Sequence, residues 1–428
     1  MRDFPSRSAI EADQLARLNS LLASLRAGNP FYSARIHAAG IDAHVSNLAE
    51  FFTRMPFTQK QDVVEDQQSH PPYGSNLTYG LERYCRYSQT SGTTGRPMYW
   101  LDTAESWAWM LDNWTRVYEA AGVTARDHIF FAFSFGPFLG FWTAFESAAR
   151  LGCLCIPGGG MGSAARLRTM LDNNVTAVCC TPTYAIRLAE VAAEEKIDLA
   201  GGKVKTLILS GEPGGSIPGT RARIESLWRG ARVVDHHGMT EVGPVSYGCP
   251  KQPGVLHVIG SAYIAEVIDP ATGRYVEPGA SGELVLTNLG RVGSPLLRYR
   301  TGDVVQAAPD VPCACGTSEL ALEGGILGRT DDMLVVRGVN VYPGAIEQIV
   351  RSCGGVAEYR VEINARQALP ELNIQVEPSP DCPDGATLAK RLETSMRTAF
   401  QLRVSVAIVP SGQLPRFEMK AQRWVRSG

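Results

Sequence analysis

The clearest pattern for the fold lies in residues 177–210, AVCCTPTYAIRLAEVAAEEKIDLAGGKVKTLILS. Two short apolar runs, at 177–180 and 205–210, flank a helix-like segment, which is the pattern of two buried strands joined by a crossover helix. The alternation extends outward over about residues 80–245, with further apolar runs at 129–133, 154–157 and 232–235. This region therefore predicts α/β layers built on a parallel sheet.

The flanking regions have different patterns. Residues 8–70 show helical periodicity, and residues 254–307 read as strands and turns of a β-rich subdomain. Three strand-like runs at 361–363, 372–376 and 404–409 surround a helical stretch at 388–400. We therefore predict a large N-terminal domain, residues 1–328, and a small C-terminal α+β lid domain, residues 329–428.

Composition narrows the class of protein. A chain of 428 residues exceeds what one hydrophobic core usually supports, so at least two domains are expected. With 44% hydrophobic residues, 20% charged residues and a net charge of −2, nothing indicates disorder, a nucleic-acid surface or a polybasic membrane patch. Small molecules are the expected partners.

The N-terminal residues bear on the expected cellular location, and the location bears on the state of the cysteines. The first residues, MRDFPSR, lack the apolar run of a signal peptide, so a cytoplasmic protein is expected. Its ten cysteines would then be core residues, metal ligands or catalysts rather than disulfides. The uncharged aromatic segment 129–145 is interrupted by Gly136-Pro137 and Gly140, which favours a buried strand, loop and helix over a membrane span of about 20 residues.

The sharpest local motif is YSQTSGTTGRP at 87–97. Its small hydroxyl residues and two glycines would let backbone N–H groups approach phosphate oxygens, and Arg96 adds positive charge. A polar turn between strands is the alternative for such a loop. It is not a Walker A loop, since the sequence contains no G-x-x-x-x-G-K-[ST].

Later motifs follow in a fixed order: SGEP at 210–213, DHHGMTE at 235–241, RYRTGD at 298–303, GRTDD at 328–332 and LPRFEMK at 414–420. Together with residues 88–97, this order resembles the adenylate-forming superfamily. The short segment before the phosphate loop and the wording RGVNVYP at 337–343 are similar to its phenylacetate–coenzyme A ligase branch. The resemblance extends from about residue 80 to 425.

The resemblance implies nucleotide-binding roles for several residues. The predicted phosphate loop is Ser91, Gly92, Thr93, Thr94 and Gly95, and the predicted adenine edge is Gly211, Glu212 and Pro213. His237 would stack on adenine more weakly than the family's usual Tyr, Thr240 would contact the α-phosphate and Glu241 would hold Mg²⁺. Asp303 would bind ribose, Arg329 ribose or phosphate, Asp331 would be the hinge and Lys420 the catalytic lysine. Taken singly, Lys420 could be a solvated surface lysine and the Thr-Gly-Asp of 301–303 an ordinary turn.

The acid and a metal ion have candidate residues too. Relatives line their acyl pocket with the segment that holds Phe135, Phe138, Phe141 and Trp142, and flat apolar walls suit an aromatic acid, although ordinary core packing is the alternative. His236, Gly238 and Met239 are further predicted substrate residues. Cys249, His257, Cys313 and Cys315 have the chemistry of a closed Cys₃His zinc site, against the alternative of packed thiols.

The implied reaction joins a carboxylate to ATP, forming an acyl-adenylate, and then passes the acyl group to coenzyme A. An amine or carrier protein as acceptor is the first alternative, and a catalytically silent nucleotide-binding protein is the second. The sequence leaves open which acid is used, the acceptor, the pathway, and whether the chain forms a homodimer.

Overall fold

The computed structural model describes residues 4–41, 44–90, 97–277, 279–332, 334–336, 339–364, 371–418 and 420–427. The chain begins with four helices: α1 Arg7–Gly28, α2 Pro30–Ala38, α3 Leu48–Arg54 and α4 Lys60–Ser69. Ser6 and Asn29 cap the first two, each accepting a hydrogen bond from a backbone N–H of the first turn. The apolar faces of α1 to α3 pack on Leu289 and Leu297, so this helical segment belongs to the main body.

A five-stranded parallel sheet forms the centre of the molecule, in the order β4-β3-β5-β6-β7. It is preceded by the antiparallel pair β1 Tyr84–Gln89 and β2 Tyr99–Thr103. The central strands and helices are α5 Ala104–Ala121, β3 His128–Phe131, α6 Leu139–Leu151, β4 Leu154–Pro157, α7 Ser163–Asp172, β5 Ala177–Cys180, α8 Pro182–Glu194, β6 Thr206–Leu209, α9 Pro218–Leu227 and β7 Arg232–Asp235. Every residue of β5 and β6 is buried, because helices α7 to α9 pack on one face of the sheet and helices α5 and α6, with the strands that follow β7, pack on the other. This burial explains their continuous apolar runs.

The β-rich part that follows contains short strands in small antiparallel sheets. They are β8 Gly238–Met239, β9 Gly243–Pro244, β10 Ser246–Gly248, β11 Val255–Val258, β12 Tyr263–Ile268, β13 Ser281–Asn288, β14 Tyr299–Gln306, β15 Ala321–Glu323 and β16 Gly328–Arg329. One sheet has the order β10-β11-β15 and another β12-β13-β14-β16. Their inner faces join those of the parallel sheet in one hydrophobic core.

The C-terminal region, from Leu334 onward, has a hydrophobic core of its own. Its elements are β17 Leu334–Val336, β18 Val339–Val341, α10 Pro343–Cys353, β19 Val356–Asn364, β20 Glu371–Pro378, α11 Gly385–Phe400, β21 Ser405–Ile408 and β22 Trp424–Ser427. The sheet order is β21-β20-β19-β22, with an antiparallel centre and parallel edges. The α/β architecture with a small α+β region confirms the predicted fold class. The hairpin β17–β18, helix α10 and strand β22 are elements of this region that the sequence patterns did not predict.

The aromatic segment 129–145 is a strand, a loop and a helix: it runs from β3 through a turn into α6. Among the described residues, no helix is long and apolar enough to cross a membrane.

Candidate active site

The predicted nucleotide motifs lie where the parallel strands end. SGEP follows β6 directly, and DHHGMTE begins at the last residue of β7. The carboxyl ends of neighbouring parallel strands open onto one crevice, which is where α/β sheets bind ligands. The predicted phosphate-loop residues Ser91, Gly92, Thr93, Thr94 and Gly95 lie outside the described residues. The loop's base is held nearby, since Gln89 N donates to Pro137 O at 2.8 Å and Thr90 N to Met98 O at 3.0 Å.

Asp303 connects two of the predicted nucleotide residues. One of its carboxylate oxygens bonds His237 Nε2 at 2.9 Å, and the other accepts from Arg329 Nη1 at 3.0 Å. Burial alone would lower the pKa of Arg329, but the carboxylates of Asp331 and Asp303 raise it, so the guanidinium stays charged. Asp331, the predicted hinge, is exposed and accepts from Arg329 Nε at 2.8 Å. His237, Asp303 and Arg329 therefore form one polar line, although they come from three separate motifs.

Glu241 and Thr240 lie beside this line on the loop between β8 and β9. Burial raises the pKa of Glu241, because removing a carboxylate from water disfavours its ionised form. A divalent cation at this carboxylate would offset that cost, and carboxylate oxygens are ligands that Mg²⁺ prefers. The buried carboxylate of Glu241 therefore fits its predicted role as a Mg²⁺ ligand.

Lys420 reaches this crevice from the C-terminal region. Its Cε lies 3.8 Å from where a Cβ on Gly211 would be. Beside it, the Glu212 carboxylate accepts from the backbone N–H groups of Thr183 and Ala421, both at 2.8 Å. Pro213 is exposed next to them. The structure thus brings the SGEP turn and the C-terminal lysine together across the two regions.

The predicted substrate residues form two adjoining groups. Phe133 and Phe141 stack with ring centroids 4.2 Å apart, Phe138 lies 5.8 Å from Phe141, and Phe135 lies 4.8 Å from Trp142. All five rings keep part of their surface exposed. Helix α6, which carries two of them, packs against β8, the strand formed by Gly238 and Met239.

His236 packs against Trp114, with the two ring centroids 4.3 Å apart and the ring planes tilted by 51°. Burial lowers the pKa of His236 to about 4, so the ring is neutral at neutral pH. Its Nδ1 lies 2.6 Å from Ser246 O and must carry the proton to donate there, which leaves Nε2 with a free lone pair.

The four predicted metal ligands meet at one point. The ligand atoms of Cys249, His257, Cys313 and Cys315 all lie within 4.8 Å of one another. Cys249 Sγ is 3.7 Å from Cys313 Sγ, and Cys315 Sγ is 3.5 Å from His257 Nε2. Tetrahedral Zn–S bonds of about 2.3 Å would put neighbouring sulfurs about 3.8 Å apart, so the spacing of the two thiols fits zinc. Burial lowers the pKa of His257 to about 4, which keeps the imidazole neutral, as a ligand must be.

Comparison with known proteins agrees with this geometry. The AMP-binding enzyme family matches residues 85–290, and the AMP-binding enzyme C-terminal domain matches residues 338–426. A phenylacetate–coenzyme A ligase of Pseudomonas putida is 30% identical over 97% of this chain and 94% of its own length. The chain belongs to the phenylacetate–coenzyme A ligase family. As a member of that family it is an AMP-forming acid–thiol ligase.

Solved structures of a related ligase identify the conformation. The structure of this chain superposes on 2-hydroxyisobutyryl-CoA ligase in the postadenylation state with a TM-score of 0.93. The two sequences are 29% identical, and the match covers 99% of this chain and 91% of the other. With the thioesterification state of the same relative, bound to CoA, the TM-score is 0.74, at 31% identity and the same coverage. The contacts of Lys420 described above therefore belong to a conformation similar to the postadenylation one.

One buried residue of this ligase site had no signal in the sequence. Arg291 donates from Nη1 to Thr240 O at 2.7 Å and Glu241 O at 2.8 Å, and pairs through two bonds of 2.7 Å with Asp102. Arg291 lies in a glycine-containing turn typical of a surface loop, and Asp102 is 189 positions away. A charged residue in such a turn is usually exposed, so only the fold reveals the pair.

Proposed function

We propose that this ligase activates an aromatic carboxylic acid with ATP and transfers the acyl group to coenzyme A. The main support for an aromatic substrate is the group of half-exposed rings from Phe133 to Trp142 beside β8. Rings that served only as core would be fully buried and would leave no surface for a ligand. Flat apolar walls bind flat apolar ligands with offset or edge-to-face contacts. The related 2-hydroxyisobutyryl-CoA ligase is named for an aliphatic acid, so this specificity needs its own test.

We assign the first half-reaction to the crevice between the two regions. A carboxylate oxygen of the acid attacks the α-phosphorus of ATP, and pyrophosphate leaves with the electron pair of the broken P–O bond. Lys420 supplies positive charge to the reacting oxygens, a contribution of roughly 3 to 4 kcal/mol for a well-placed group. Thr240 contacts the α-phosphate, and Glu241 would hold a Mg²⁺ ion that neutralises phosphate charge.

The nucleotide is held by the polar line at Asp303. Asp303 accepts from the ribose hydroxyls, Arg329 contacts ribose or phosphate, and His237 and the Gly211 turn face the adenine. Because His237 and Arg329 already bond Asp303, its carboxylate is oriented before the nucleotide binds.

The second half-reaction follows a rotation of the lid domain, residues 329–428, about Asp331. The thiolate of coenzyme A attacks the acyl carbon, the bond to AMP breaks, and AMP leaves with the oxygen. Several contacts between the two domains are hydrogen bonds, such as Gly219 N to Gln348 Oε1 at 3.1 Å and Thr220 Oγ1 to Glu347 Oε1 at 3.3 Å. Water can replace hydrogen bonds of this kind when the domains separate, which lowers the cost of the rotation.

A panel of acids tests the proposal. Pyrophosphate exchange should occur with benzoate-like and phenylacetate-like acids, and coenzyme A should convert these acids to thioesters. Lys420→Ala should lose roughly 10²-fold or more in adenylate formation and retain thioester formation from supplied acyl-adenylate. Lys390→Ala removes an exposed lysine of α11 and is the matched control. A clear preference for 2-hydroxyisobutyrate would reject the aromatic acid, and transfer to an amine but not to coenzyme A would reject the acceptor.

A further inference from the structure

Glu212 occupies the contact between the SGEP turn and the lid domain. One carboxylate oxygen accepts from the N–H of Thr183, at the start of α8, where helix N–H groups lack partners within the helix. The other accepts from the N–H of Ala421, directly after Lys420. Both distances are 2.8 Å, and hydrogen bonds to a carboxylate are among the stronger ones in proteins.

The neighbouring contacts between the large domain and the chain around Lys420 are longer. Ser163 Oγ donates to Glu418 at 3.2 Å, Arg423 donates to Thr183 Oγ1 at 3.4 Å, and Arg416 Nε lies 3.5 Å from Glu190 Oε2. Glu212 lies between them, and the Lys420 side chain extends over the adjacent Gly211. Among the residues that the structure describes, the shortest contact between the large domain and the chain around Lys420 is therefore the bond from Ala421 N to Glu212.

We propose that Glu212 is a positioning residue that holds the backbone at 420–421 while Lys420 acts, and releases it when the lid domain rotates. The proposal rests on the proposed function, since it assigns Lys420 to adenylation. It gives Glu212 a different task from the adenine edge expected from its motif. A lysine has four flexible side-chain bonds, so fixing the backbone from which it extends reduces the entropy lost in aiming its ammonium group.

The kinetic test uses full-length Glu212→Ala and the milder Glu212→Gln, which keeps one acceptor oxygen. Glu212→Ala should lower kcat for pyrophosphate exchange on the order of tenfold, as expected for one lost charge-assisted hydrogen bond, and leave thioester formation from supplied acyl-adenylate unchanged. The kcat of Glu212→Gln for pyrophosphate exchange should lie between those of the wild type and Glu212→Ala. In a Lys420→Ala background, Glu212→Ala should cause no further loss.

The matched control is Asp384→Ala, which removes a carboxylate that caps α11 through Ala386 N and Thr387 N without touching the large domain. Hydrogen exchange of the peptide containing Ala421 gives a readout that needs no substrate: it should be faster in Glu212→Ala and unchanged in Asp384→Ala.

Unchanged hydrogen exchange in Glu212→Ala, equal losses in both half-reactions, or a full further loss in the Lys420→Ala background would overturn the proposal. A raised KM for ATP with unchanged kcat would return Glu212 to the adenine edge. A wild-type protein that adenylates no acid would refute the proposed function, and the hydrogen-exchange comparison would still decide the role of Glu212.

Discussion

At the scale of single residues, Arg291 shows how a buried charge shapes a loop. Its side chain is fully buried, its guanidinium pairs with Asp102 on one side, and it donates to the carbonyls of Thr240 and Glu241 on the other. The ring of Trp100 lies 5.1 Å from the guanidinium carbon. Two carbonyls held by one rigid donor orient the peptides that carry the proposed α-phosphate and magnesium residues.

Replacing Arg291 with Lys should therefore affect both stability and metal use. Lysine cannot reach the carboxylate and both carbonyls together, so we expect a loss of at least about 1.5 kcal/mol in unfolding free energy. The Mg²⁺ concentration that half-saturates pyrophosphate exchange should rise severalfold. Denaturant unfolding and a Mg²⁺ titration measure the two effects.

Arg298→Lys is the matched control for this prediction. Arg298 is also buried and pairs with Glu266, but it donates to the carbonyls of Phe52 and Met55 at the end of α3 instead of those of Thr240 and Glu241. It should lose similar stability and keep its Mg²⁺ dependence. Equal shifts in Mg²⁺ dependence for both variants would show that Arg291 acts on folding alone.

At the scale of elements, we propose that the sheet β10-β11-β15 is closed by a structural zinc ion. Cys249 follows β10, His257 lies in β11, and Cys313 and Cys315 come from the turn before β15. Four protein ligands leave no position for a substrate, so the ion would be structural.

Cys313→Ser should remove about one zinc per chain and lower the melting temperature, because structural zinc contributes on the order of 10 kcal/mol at neutral pH. Elemental analysis and thermal unfolding test this. Cys85→Ser, at an exposed free cysteine, should change neither the zinc content nor the melting temperature. Wild-type protein that is free of zinc yet equally stable would show that the four residues are only packed side chains.

The face of the lid domain that meets α9 contains a buried ion network. Glu347 accepts from Arg351 Nε at 2.9 Å and lies 3.6 Å from Arg423 Nη1. Burial alone would raise the pKa of Glu347, but the two guanidinium groups lower it from 4.5 to about 2. The ionised form therefore stabilises the fold fully above about pH 4.5, and this stability is lost as the pH falls through about 2.

Glu347→Gln should thus lower the melting temperature most at neutral pH, by an amount equivalent to about 3 to 5 kcal/mol. The difference from wild type should shrink as the pH falls from 4.5 towards 2. Thermal unfolding across this range measures it, with Glu65→Gln at an exposed position as the control. A difference that does not vary with pH would contradict the assigned ionisation.

At the scale of the whole molecule, the proposed reaction requires two arrangements of the lid domain. In the present one, α9 packs so closely on α10 that a Cβ on Gly219 would lie 2.9 Å from Ser352 N and 3.0 Å from Arg351 Cβ. Backbone atoms cannot move aside as a flexible side chain can, so any larger residue there opposes this arrangement specifically.

Gly219→Ala should therefore slow adenylation on the order of tenfold, the cost of modest overpacking, while thioester formation is unchanged or faster. The two half-reactions measured separately provide the test. Gly201→Ala is the control, since its added Cβ would make only an ordinary contact of 3.5 Å with Asp198. Equal slowing of both half-reactions would indicate that α9 and α10 stay packed throughout.

The strands of the central sheet follow from local sequence patterns. The predicted runs at 154–157, 177–180 and 232–235 coincide with β4, β5 and β7. β5 is apolar at every position because it is covered on both faces, whereas the edge strands β4 and β7 have exposed residues. The order of the motifs determined the family, because each motif contains its own glycines and polar groups within a few residues.

Which residues from distant parts of the chain come into contact is visible only in the folded molecule. Arg291 and Asp102 are 189 positions apart, Ala421 and Glu212 are 209 apart, and His237 and Asp303 are 66 apart. Periodicity records whether a side chain is buried, but it carries no information about its partner. The His237 ring, predicted to stack on adenine, bonds Asp303, because β14 brings that carboxylate to the end of β7. Contacts of this kind arise from the packing of whole elements, which no local stretch of sequence encodes.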